Sequence, residues 1–244
     1  MSGLMDADQE FVAIERRRAT GTIGVIVAIA VALILGLHPL GSSDLYDDGP
    51  RFTHHVGYFW VTIHFLGAIL LLAVPGVIAA ASDTLVTPGA YALGRIATSV
   101  SIGGVALAVL HLAGTDTMTF LAYEDTLDRG IEGAAAGADV LLRLHSATLM
   151  AFVLTLFVAL PATAALAVAM DRDWSWRFWL PAVTSALATA SVCVTLEARQ
   201  WTTVSEMGLL RPAMVLFLLW FGLVSFRLHR SIGDPAPVAA ATGP

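Results

Sequence analysis

Residues 56–81 read VGYFWVTIHFLGAILLLAVPGVIAAA. These 26 consecutive positions hold no aspartate, glutamate, lysine or arginine, and the one side chain among them that titrates near neutrality is His64. Crossing the hydrocarbon core takes about 20 apolar residues as a helix. Backbone groups in lipid must be satisfied internally, so an apolar run of this length reads as a membrane-spanning helix.

Working outward, five more stretches qualify, at roughly Thr20–Leu40, Ala90–Ala113, Val140–Met170, Phe178–Leu196 and Leu209–Leu228. Composition agrees: 57% of the chain is hydrophobic, 13% is charged and the mean hydropathy is +0.77. A soluble domain carries about 25% charged residues. The expected fold is therefore an all-α polytopic integral membrane bundle of about six transmembrane helices, with the lipid bilayer as its main partner. The fourth stretch exceeds one upright span. Its outer part, Ala134 to Leu144, reads as a helix crossing the headgroups, with a bend at Pro161; a re-entrant turn there is the alternative.

The plan divides into a polar N-terminal segment (1–19), a membrane domain (20–231) and a disordered Pro- and Ala-rich tail (232–244). The first apolar run reads as an uncleaved span, since it exceeds a signal sequence's core and no small-residue cleavage site follows. Positive charge comes from arginine alone, because the chain has no lysine. Under a six-span plan Arg16, Arg17, Arg18, Arg95, Arg172, Arg177, Arg227 and Arg230 fall on one side, and Arg51, Arg129, Arg143, Arg199 and Arg211 on the other. Eight against five places both termini in the cytoplasm of a cell-membrane protein. The opposite face collects carboxylates, including Asp44, Asp116, Glu124, Glu132, Asp139, Glu197 and Glu206. Such a face repels nucleic acid and reads first as a solvated outer surface.

Gly24, Ala28, Ala32 and Gly36 recur every four residues on one face of the first helix. Small residues let helices approach closely in lipid. The stripe suits packing inside the monomer, or a homo-oligomer or membrane-protein partner. Trp60, Trp174, Trp176, Trp179 and Trp201 flank the apolar runs as interfacial anchors. No span shows a midplane break by paired glycine or proline, which argues against a transporter.

Ionisable residues are expensive inside a membrane, so three intramembrane histidines, His64, His111 and His145, stand out. The topology puts all three in the outer third of the bilayer. Three functional readings follow. His64 and His145 could be axial ligands of a haem b, with His111 nearby and Arg143 or Arg51 meeting the propionates. Alternatively His64, His111 and His145, or His54 and His55, could bind zinc or copper with help from Asp116 or Glu197. Finally, the histidines with Glu197 or Asp116 could do acid–base work on a lipid-like or isoprenoid substrate. The plainer reading is a buried histidine bonded to a neighbouring Ser, Thr or carbonyl, in an accessory or packing subunit of a membrane complex. Asp139 with Arg143, four apart, reads as a local ion pair, as does Glu197 with Arg199, Arg143 or Arg211.

Other chemistries fail on residue type. Without lysine there is no retinal Schiff base and no lysine nucleophile. Neither a phosphate-binding GxxxxGK[ST] loop nor a GxSxG elbow is present. No HExxH, no desaturase-type histidine cluster and no aspartate-rich diphosphate motif occurs. The single Cys193 excludes an internal disulfide and a CxxC pair.

Overall fold

The computed structural model describes residues 2–37, 49–115, 117–118, 132–198 and 204–230, and all its regular elements are helical. Six helices are long and apolar enough to cross a membrane: Phe11–Gly36, Val61–Ser82, Pro88–Thr115, Arg143–Met170, Trp176–Val194 and Leu210–Arg230. We number these spans one to six. The polar N-terminal segment is helical and continuous with span one, since one helix runs Ser2–Leu37. A helix also covers Glu132 to the start of span four, where the sequence reading expected one. The tail from residue 231 lies outside the described residues.

Each span packs on its sequence neighbours, and span one closes the bundle against span six. The core holds Val77, Leu156, Leu160, Phe217, Trp220 and Phe221, each no more than 4% exposed. Phe157 links spans four and six, its ring edge-on to Phe217 at 5.2 Å. The outside is apolar too: Ile23, Ile26, Ile29 and Leu33 of span one are all more than half exposed. In water this girdle would be a liability; in lipid it is the solvent-matched surface.

The small-residue stripe of span one divides in two. A Cβ at Gly21 would stand 2.5 Å from the backbone of Ser225 and His229, and Gly24 presses against Ser225. Ala28 lies opposite Gly222. Gly24 and Ala28 are thus occupied by span six of the same chain, whereas Ala32 is exposed and Gly36 meets nothing within 4 Å. Only the half toward Gly36 stays open to another molecule.

Two spans are irregular at mid-depth. Span two is interrupted at Leu72–Ala73, where the N–H groups of both residues bond three residues back to Ile69 and Leu70. Pro75 is the cause: it has no N–H to continue the ladder and sits in the first turn of the next helical piece, Val74–Ser82. This corrects the expectation of unbroken spans, since Pro75-Gly76 is a proline–glycine pair at midplane. Span four opens into a π-helical turn, Val153–Ala159, directly before Pro161, and the Leu160 N–H reaches back five residues to Thr155. The helix runs on to Met170, so the chain passes through without a re-entrant turn. Ser185 of span five donates its hydroxyl to the Val158 carbonyl at 3.0 Å, satisfying a backbone acceptor beside the irregularity.

At the arginine-rich end a short loop clamps four spans. Span four closes with Arg172 in the left-handed region (φ 58°), and the Asp173 N–H returns to the Val168 carbonyl at 3.2 Å. The Asp171 carboxylate then accepts from the N–H groups of Val86 (3.0 Å) and Thr87 (2.9 Å), tying this loop to the one between spans two and three. Partial burial pushes the Asp171 carboxyl up. The two N–H donors, the Thr87 hydroxyl and the Arg177 charge outweigh it and hold the group below its ordinary value. Asp173 is lowered as well, first by the Ser175 hydroxyl and against burial, then by the Ser175 N–H and Arg177. Arg177 bonds Asp173 at 3.1 Å.

Candidate functional site

The other end of the bundle brings two of the three intramembrane histidines together. From Leu110 to Thr115 span three leaves α-helical geometry for a π turn. Such turns carry an extra residue and re-aim side chains, and they recur at functional sites. His111 and Thr115 both lie in this turn and are both buried. The Thr115 hydroxyl donates back to the His111 carbonyl at 3.1 Å.

Span four supplies the facing half. His145 and Thr148, three residues apart, fall on one helix face, and the Thr148 hydroxyl reaches the His145 carbonyl at 2.9 Å. The same Thr148 oxygen lies 3.2 Å from His111 Nδ1 and 2.9 Å from the Thr115 hydroxyl. The two imidazoles touch directly, with ring centroids 4.6 Å apart and planes inclined at 53°. Phe152 stacks beyond His111 at 6.0 Å. The result is a small polar knot in an apolar wall, with His111 only 4% exposed.

Proton accounting defines what the knot can do. Each threonine hydroxyl has one proton and two lone pairs, and a neutral imidazole has one donor and one acceptor nitrogen. In one arrangement His111 carries its proton on Nδ1 and donates to Thr148, whose own proton goes to the His145 carbonyl. In the other, Thr148 turns its proton onto His111 Nδ1, and the imidazole proton sits on Nε2. The two hydroxyl protons cannot serve all the contacts Thr148 and Thr115 make, so each arrangement leaves at least one oxygen–oxygen contact without a proton, and the His111–Thr148 bond can run in either direction. Two imidazolium charges 4.6 Å apart would repel by about 3–4 kcal/mol at an effective dielectric near 20. The pair therefore disfavours two positive charges at once.

His145 is half-buried, more accessible than His111, and its exposed neighbours are mixed: Leu144 is 47% exposed and Arg143 is exposed as well. His64 is buried on span two, 6% exposed. It stands three residues before Gly67, which faces Leu112 of span three, and is therefore one helical turn nearer the same end of the bundle. The contact that defines the site is His111 with His145, and it leaves no slot between these two rings for a macrocycle. The pairing of His64 with His145 across a haem gains nothing from it. Among the described residues no group of three or more His, Cys, Asp or Glu is placed to hold a metal ion. Arg143 is exposed at the start of span four, two residues before His145. Asp116 and Arg199 lie outside the described residues, and so do the side chains of Glu197, Glu206, Asp139, Arg51, His54 and His55; the ion pairs read for Asp139 and Glu197 lie there too.

The sequence reading named the histidines but not Thr115, Thr148 or Phe152. The signal was present as His111-x3-Thr115 and His145-x2-Thr148, spacings that put a hydroxyl on the face of each histidine. Set beside known protein families, curated proteins and solved structures, the chain matches none, and its function has to be argued from this site.

Proposed function

We propose that the protein is a membrane-embedded proton-handling protein that uses the His111–His145 pair as acid and base on an apolar, lipid-like substrate. The observation that supports this reading is the direct ring contact at 4.6 Å, coupled through Thr148 to Thr115. A neutral imidazole offers one nitrogen that donates and one that accepts, so two of them in contact supply both an acid and a base within one site. His145, the accessible member, is the group that would meet the substrate. His111, buried and bonded to Thr148, is the one that would return or remove the proton. The place of His145 within a membrane span, next to the exposed Leu144, favours a reactant that arrives from the bilayer. The excess of arginine at the opposite end supports an orientation with both termini in the cytoplasm, and hence a site near the extracytoplasmic face.

The test is 15N NMR of histidine-labelled protein in lipid nanodiscs, titrated between about pH 4.5 and 9. The expected result is one proton taken up by the pair, with the His111 signal changing tautomer as His145 titrates. His145→Gln should abolish that change. Two imidazoles that titrate independently, or stay neutral throughout, would rule the reading out.

A further inference from the structure

At the arginine-rich end, where spans two to six come together, the structure holds a cavity of about 80 Å³. Its charged lining consists of Arg177 and Arg227, and no aspartate or glutamate is among the residues that form it. The hydroxyl proton of Ser82 goes to the backbone carbonyl of Ile78 or Gly94, and that of Thr84 to the carbonyl of Ala81, so the guanidinium groups are the cavity's donors; most of the rest is apolar, with Leu85 and Trp176 among it. Arg177 is fixed in place by Asp173, its side chain 15% exposed, and this contact uses one of the five donors of a guanidinium. Arg227 is exposed and makes no ion pair among the described residues. Two guanidinium groups on one small cavity attract an anion.

We propose that this cavity is a binding site for the headgroup of an anionic phospholipid, whose phosphate sits between Arg177 and Arg227. Guanidinium matches phosphate oxygens in geometry and charge, and basic pockets between transmembrane helices hold such headgroups. The cavity has room for several waters, enough for a phosphate group to replace them. Its depth also fits. Trp174 and Trp179, 59% and 57% exposed beside the start of span five, mark the headgroup level. Next to the lining residues Ala164 and Ala167, Leu166 is 58% exposed, so an acyl chain descending from the site would find an apolar wall. Free inorganic phosphate would have no use for that wall, which favours the lipid. The site does not depend on the histidine pair or on which way the bundle is inserted.

The experiment is native mass spectrometry of the full chain released from micelles containing phosphatidylglycerol or phosphatidylcholine of matched chains. Wild type should retain phosphatidylglycerol in preference. Arg227→Gln should lower that retention about fivefold, and Arg227→Lys, which keeps the charge, should restore most of it. Arg95→Gln, an exposed arginine at the same end but outside the cavity, should leave retention unchanged. Millimolar inorganic phosphate should not displace the lipid. Equal retention of the two lipids, an unaffected Arg227→Gln, or an equal loss in Arg95→Gln would overturn the proposal. Displacement by phosphate alone would assign the cavity to a free anion and overturn the lipid.

Discussion

At the scale of single residues, the bundle depends on places where a side chain has no room or an exact partner. Gly21 is the clearest. A methyl group there would meet the Ser225 carbonyl and the His229 N–H at 2.5 Å, both of them backbone, so span six itself would have to move. Gly21→Ala should cost about 1–3 kcal/mol of stability by overpacking, read as a lower thermal midpoint in detergent. Gly36→Ala, with nothing within 4 Å, should be neutral or slightly stabilising. Thr148 is the matching case for a polar partner. Thr148→Val keeps the shape but removes the oxygen shared by His111, Thr115 and the His145 carbonyl. The expected loss is about 0.5–2 kcal/mol, the range for polar contacts between helices in membranes, with Thr148→Ser close to wild type. The histidines were legible in the sequence because a titratable group in an apolar run stands out. Their threonine partners were not, because threonine is common in spans and gains meaning only once two helices are placed face to face.

At the scale of elements, hydropathy and length were enough to read all six spans, since an uncharged apolar run of about 20 residues has to satisfy its backbone as a helix in lipid. The irregular turns were harder. Pro161 announced a bend, and the structure makes it a π turn, because a regular turn would press the proline ring against the Phe157 carbonyl four residues back and the widened turn makes room for it. Pro75 escaped notice because it sits deep in an apolar run whose composition alone satisfied the reading. The loop at 171–175 shows how an element is pinned from outside. Asp171 accepts two backbone N–H bonds from the neighbouring loop, and its carboxyl is held below its ordinary value. A group whose pKa is depressed by folding contributes stability above its unfolded pKa, near 3.8, and loses it as the pH falls through the folded value. The clamp should therefore be intact at neutral pH and weaken progressively below about pH 4. Asp171→Asn leaves one carbonyl oxygen for two donors and should cost about 0.5–1 kcal/mol at pH 7, because the clamp is largely exposed and water can take the freed donor. Thermal midpoints measured from pH 3 to 7 should fall toward acid in wild type and less steeply in the variant. An identical slope in both would remove Asp171 from the acid response.

At the scale of the whole molecule, the two ends of the bundle differ in kind. One end is knotted by short loops, arginines and the Asp171 clamp, and the other carries the imidazole pair. The arginine count was readable from sequence alone and supports cytoplasmic termini. Both positioned ends can be reached by chemistry, because Cys193 is the single cysteine of the chain and can be replaced to give a clean background. Thr84 is exposed in the loop at the arginine-rich end, and Met118 is 57% exposed just beyond span three. In a Cys193→Ser background, Met118→Cys should react with a membrane-impermeant maleimide on intact cells. Thr84→Cys should react only after the membrane is opened. The reverse pattern would turn the bundle over and move the histidine pair to the cytoplasmic side.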